Sequence, residues 1–140
     1  MERKFKVNDI VYVWGTNTCK IYKSKVIKVA PIGAKTMWPY TCDSLGVADI
    51  NGNIIEPDSG DFDCRESAMF ITAEDAYNCE CAVDSRQLHE KWDMYVKEIN
   101  NISDLLRFPF KHNLTNTNRD DIAYGVYKTK ANELFGIKIL

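Results

Sequence analysis

The feature that most constrains this chain is a change of hydrophobic period at Thr72. Before it, apolar residues come in short β-rich runs separated by turn residues; after it, they recur at helical spacing. Strands first and helices second, with no βαβ alternation, predict an α+β chain: a small antiparallel barrel followed by about three helices. The 140 residues are 45% hydrophobic and 11% aromatic, enough apolar surface to build a packed core and too short a chain for two full domains. The expected division is a barrel over residues 1–71 and a helical segment over 72–140 packed on it as one unit.

Residues 10–14 read as a first strand, 15–18 as a turn and 21–29 as a second strand antiparallel to the first. Pro31 and Gly33 break the second. Residues 37–42 read as a short third strand, which Pro39 would restrict to an edge. In GVADINGNIIEP, Asn51 and Gly52 predict a tight connection between strands at 47–50 and 53–56. Residues 57–66 read as an acidic loop, and 68–71 as a closing strand.

Thr72 followed by Ala, Glu and Asp places a hydroxyl cap ahead of two acids, the signature of a helix start. Cys81, Leu88, Trp92, Tyr95 and Ile99 recur at spacings of seven, four, three and four, which predicts one buried face, with a break near Asp84 and Ser85. Asn100 and Asn101 end this segment, Ser103 is the expected cap of a short helix over 104–108, and Pro109 the expected stop. A loop over 115–118 then leads to a last helix opened by Asp120 and Asp121, with Ala123, Tyr127, Ala131 and Leu134 on one face and Gly136 at its end.

Two stretches, FKVNDIVYVW and SAMFITAEDA, resemble a group of small, mostly uncharacterised proteins from phages and prophages of Gram-positive bacteria. In that group an N-terminal SH3-like barrel runs into a Phe-x-Thr-x-acid-acid-Ala helix start. The likeness covers about residues 5–78, and ISDLLRF and ANELFGI also look like phage accessory sequences. The resemblance implies a mobile-element origin and a small-barrel fold, and brings no catalytic residue.

Charge is unevenly distributed. Residues 1–40 carry eight Lys or Arg against two acids, a balance of +6, whereas residues 41–84 carry eleven acids against Arg65 alone, a balance of −10. The carboxylates of Asp43, Asp49, Glu56, Asp58, Asp61, Asp63 and Glu66, if displayed together, could imitate phosphates and occupy the basic channel of an enzyme that handles nucleic acid. The plainer reading is a solvated loop. Trp38 and Tyr40 around Pro39 are the expected aromatic anchors of a contact patch at a sheet edge. The leading expectation is thus a non-catalytic, anti-CRISPR-like accessory protein that inhibits a host protein such as a defence nuclease. A second expectation is nucleic-acid binding through Lys20, Lys23, Lys25 and Lys28, interleaved with Tyr22. Against it stands a net charge of −2, since phosphate binding by counterion release calls for a basic excess.

Cys64, Cys79, Cys81 and His89 supply zinc-ligand types and suggest a third expectation, a zinc-stabilised adaptor. The spacing counts against it, because residues two apart on a helix point roughly 200° from each other. The five cysteines, with Cys19 and Cys42 completing the set, are therefore expected as free thiols, and no metal or cofactor is assigned. His89 and His112 are the two histidines, and no glycine-rich phosphate loop, nucleophile elbow or zinc-hydrolase motif occurs, so no catalytic residue is assigned. Asp61 and Asp63 lack calcium-loop spacing. No apolar run approaches the roughly 20 residues of a membrane span, and no cleavable leader is visible at MERKFKVNDIVYV. The expected location is the cytoplasm of a bacterial host, with neither membrane nor small-molecule substrate as partner.

Overall fold

The computed structural model describes residues 3–114 and 120–137; the loop expected over 115–118 lies outside them. The architecture is α+β, an antiparallel sheet curled into a half-barrel and followed by helices. The strands are β1 Ile10–Gly15, β2 Lys20–Val29, β3 Tyr40–Ala48, β4 Ile54–Glu56 and β5 Asp61–Cys64. A 3-10 turn, Glu66–Ala68, precedes helices α1 Ala73–Asn78, α2 Glu80–Val96, α3 Ile102–Lys111 and α4 Asp121–Phe135. The chain separates into two compact units, Met1–Ser85 and Arg86–Leu140, with α2 running from one into the other. The boundary therefore falls after Ser85 and not after residue 71. The cause is α1, whose Ala73 and Ala76 are buried with Trp14, Ile21 and Ala48 of the strands.

In the first unit, β1 pairs with β2, β2 with β3, and β3 with both β4 and β5 along its far edge. Phe70 returns to β1 through a bridge to Tyr12, with backbone bonds of 2.8 and 3.0 Å, and so begins to close the curl. Strand alternation puts Val11 and Val26 on the same face as Tyr40, Cys42 and Cys64, and these pack with Phe5 and Met69 as one core.

Several expectations change here. β3 is the central strand, longer than expected, because Pro39 stands one residue outside it and removes no ladder donor. The acidic loop contains β5, whose D-F-D-C alternation turns Phe62 and Cys64 toward the core side. The Asn51–Gly52 hairpin is present, with Asp49 Oδ1 accepting from the amides of Asn51 and Asn53 at 3.0 and 2.9 Å. Thr72 caps α1 by accepting from Asp75 N at 3.1 Å, but the helix breaks at Cys79, earlier than Asp84.

In the second unit, Tyr95, Ile99, Leu105, Phe108, Ala123, Val126 and Ala131 form the core, with Tyr95 edge-on to Phe108 at 5.8 Å. Of the expected α2 face, Tyr95 and Ile99 are buried, while Leu88, Trp92 and Cys81 are exposed. Asn101, not Ser103, caps α3, accepting from Asp104 N at 2.9 Å. Pro109 lies inside α3: near its end only one ladder donor is lost, and burial of Leu105 and Phe108 holds the last turn. Asp120 caps α4 and Gly136 ends it in the left-handed conformation, while Val126 takes the core position expected of the exposed Leu134.

Candidate binding surface

The acidic residues do not form one free block. β2 and β3 are neighbours, so the basic and acidic segments interleave: Lys25 stands opposite Asp43, and Lys28 opposite Thr41. Glu56 is held by Lys20 at 2.9 Å, and that hydrogen-bonded pairing raises the lysine pKa. Glu66 accepts from Tyr40 OH at 2.5 Å and from Lys4 N at 2.8 Å, and these bonds, the tyrosine's first, lower its pKa. Asp49 is committed to the hairpin turn. The expected uniform acidic surface over Asp43, Asp49, Glu56, Asp58, Asp61, Asp63 and Glu66 is thus reduced by cross-strand register, which the linear charge count does not contain.

Four carboxylates have no lysine or arginine bonded to them among the described residues. Asp58 accepts from Ser44 Oγ at 2.6 Å and Asp63 from Thr41 Oγ1 at 2.9 Å, both neutral donors. Asp43 and Asp61 face one another across β3 and β5. Among the described residues none of the four makes an ion pair. Like charges directly opposite destabilise a sheet, although charges along an edge strand also discourage edge-to-edge pairing.

Tyr40 is not a surface anchor. It opens β3 on the core side, is fully buried, lies edge-on to Phe5 at 5.9 Å and donates to Glu66. Burial, and then the Glu66 bond, raise its pKa. Trp38, two residues earlier and outside the strand, is 48% exposed with Arg65 stacked 5.1 Å from its ring. The pair expected at one edge is therefore divided between core and surface by the alternation that begins at residue 40.

On β2, Lys23 donates to Gly52 O at 3.2 Å and lies 5.9 Å from the Tyr12 ring, so Lys20 and Lys23 are both engaged within the unit. Lys25 and Lys28 remain without an ion pair among the described residues. Tyr22 shares a hydrogen bond with Thr18 Oγ1 at 2.8 Å.

The cysteines are free thiols. Cys64 belongs to the half-barrel core beside Cys42, whereas Cys79 packs in the cluster under α1 and Cys81 is exposed. Among the described residues no three His, Cys, Asp or Glu side chains come together as metal ligands. Burial pushes the Cys42 thiol up to about 12 and the Cys64 thiol to about 11, which keeps both protonated.

Two features escaped the sequence reading. A pocket of about 300 Å³ opens at one end of the core-side face, lined by Val13, Gly15, Tyr22, Ser44, Phe62 and the segment from Asp58 to Asp61. Its signal was the alternation of Val13, Tyr22 and Phe62 on three strands, visible only once the strands are paired. On α3, Ile102, Leu106 and Phe110 form an exposed apolar stripe at a spacing of four, with Phe110 84% exposed. No described helix is long and apolar enough to cross a membrane. No protein-family model, curated protein or solved structure matches the sequence.

Proposed function

We propose that this chain is a non-catalytic, phage-type accessory protein, its half-barrel SH3-like, that binds and inhibits a basic host protein handling nucleic acid, such as a defence nuclease, in the bacterial cytoplasm. The observation that carries the reading is the set of carboxylates at Asp43, Asp58, Asp61 and Asp63, gathered along β3, β5 and the preceding turn, none of which makes an ion pair among the described residues. Such a group attracts a cationic groove over distance. The resemblance of FKVNDIVYVW and SAMFITAEDA to phage sequences supports the same reading.

The experiment is affinity capture from host lysate with the wild type and with the Asp43→Asn, Asp63→Asn variant. The expected result is a retained nucleic-acid-handling protein that duplex DNA displaces and that the variant fails to hold. Equal retention by both forms, undisturbed by DNA, overturns the acidic-surface reading. Direct nucleic-acid binding is less well supported, since Lys20 and Lys23 are engaged within the unit and the net charge of −2 offers no basic excess for counterion release.

A further inference from the structure

The pocket between β1, β2, β3 and β5 combines two ring walls, the carboxylates of Asp58 and Asp61, and an apolar floor. Tyr22 folds over Gly15 so closely that a Cβ there would lie 2.5 Å from its Cε2, and its hydroxyl is tied to Thr18. The ring is thereby set in place. Phe62 stands on β5, half-buried against the core, and Val13 supplies the floor opposite Tyr22 in register. Asp58 is anchored through Oδ2 to the buried Ser44, and Ser44 N donates to Gly60 O at 3.0 Å, which pins the turn that carries the acid. Lys20, which also feels the Asp58 charge, is bonded to Glu56 at 2.9 Å.

We infer that this pocket takes the guanidinium of an arginine from the partner protein. A neutral apolar ligand would displace water from Asp58, whose only protein donor is the neutral Ser44 hydroxyl among the described residues, and bring no cation in return, whereas an anion would be repelled by Asp58 and Asp61. A guanidinium suits both kinds of wall: it is planar and weakly hydrated, stacks on aromatic faces and forks its N–H groups onto a carboxylate. Lysine is more strongly hydrated and lacks the flat face, so arginine is preferred. The volume of about 300 Å³ admits one such side chain and not a folded segment. Naming a partner protein as the source of the arginine rests on the function proposed above; the pocket's chemistry does not.

The test is a titration of the full, isotope-labelled chain with Nα-acetyl-L-arginine methylamide and its norleucine counterpart, followed by amide NMR. The expected result is saturable shifts confined to residues 13–15, 22, 44 and 58–62 with the arginine probe, little response to norleucine, and weakening as salt is raised. Asp58→Asn is expected to weaken the arginine probe about tenfold. Phe62→Leu, which keeps an apolar filler but removes the ring, is expected to weaken it several-fold, and it carries the test should the Asp58 variant misfold. Equal response to both probes, shifts elsewhere on the protein, or indifference to both substitutions overturns the inference. Because the titration needs no partner, its failure is separate from failure of the capture experiment, which reads Asp43 and Asp63, outside the pocket lining.

Discussion

Asp120 offers the most quantitative test of how this chain is held together. It caps α4 by accepting from Ile122 N at 2.9 Å and Ala123 N at 3.3 Å through Oδ1, while Oδ2 meets Lys91 Nζ at 2.5 Å and Tyr95 OH at 3.0 Å. The Lys91 bond, ahead of the capping and tyrosine bonds, pulls its carboxyl from the ordinary 3.8 down to about 2. At about 1.36 kcal/mol per pH unit this is about 2.4 kcal/mol of native-state preference for the ionised form. Solvent screening reduces it, since the Lys91 side chain is 43% exposed and that of Asp120 27%, leaving about 1 to 2 kcal/mol. Asp120→Asn keeps a good cap and loses the charge, so it should cost about that amount at neutral pH. Asp120→Ala should cost about 1 kcal/mol more, from the lost cap. A depressed carboxyl stabilises above its unfolded pKa and ceases to do so as pH falls through its folded one. The deficit of the Asn variant should therefore be complete above about pH 5, shrink as pH falls and vanish below about pH 2, whereas the further deficit of the Ala variant should persist. Urea unfolding followed by far-UV circular dichroism at several pH values reads both quantities. An Asn variant as stable as wild type at neutral pH, or a deficit undiminished at pH 2, would refute the reasoning.

Two other predictions concern the first unit. Gly52 has a φ of +88° in the β3–β4 turn, and a Cβ there would lie 2.7 Å from Tyr12 OH; Gly52→Ala should destabilise the chain by about 1 to 3 kcal/mol, seen as a lower urea midpoint. Exposed Cys81 should react with a maleimide under native conditions, while Cys42 and Cys64, held protonated in the core with thiols near 12 and 11, should react only on unfolding, as mass spectrometry of the labelled peptides would report.

What the amino-acid order determined on its own was local. Thr72, Asp120 and Gly136 each satisfy backbone groups within one turn of themselves, and Asn51 and Gly52 shape a turn from neighbouring dihedrals, so all were legible as written. The succession of strands and then helices followed from the same short-range periodicity. Partnerships across strands were decided only in three dimensions. Pairing β2 with β3 sets lysines among the carboxylates that looked like an isolated acidic block, and pairing β5 with β3 places Asp61 against Asp43. The inward turn of Tyr40, the fixing of its hydroxyl by Glu66 and the gathering of Tyr22, Phe62 and Asp58 around one pocket depend equally on register. Register is a property of two segments at once: charge, ring or thiol, a side chain's environment is set by residues distant in sequence, and moving a strand by one position would send each to the opposite face.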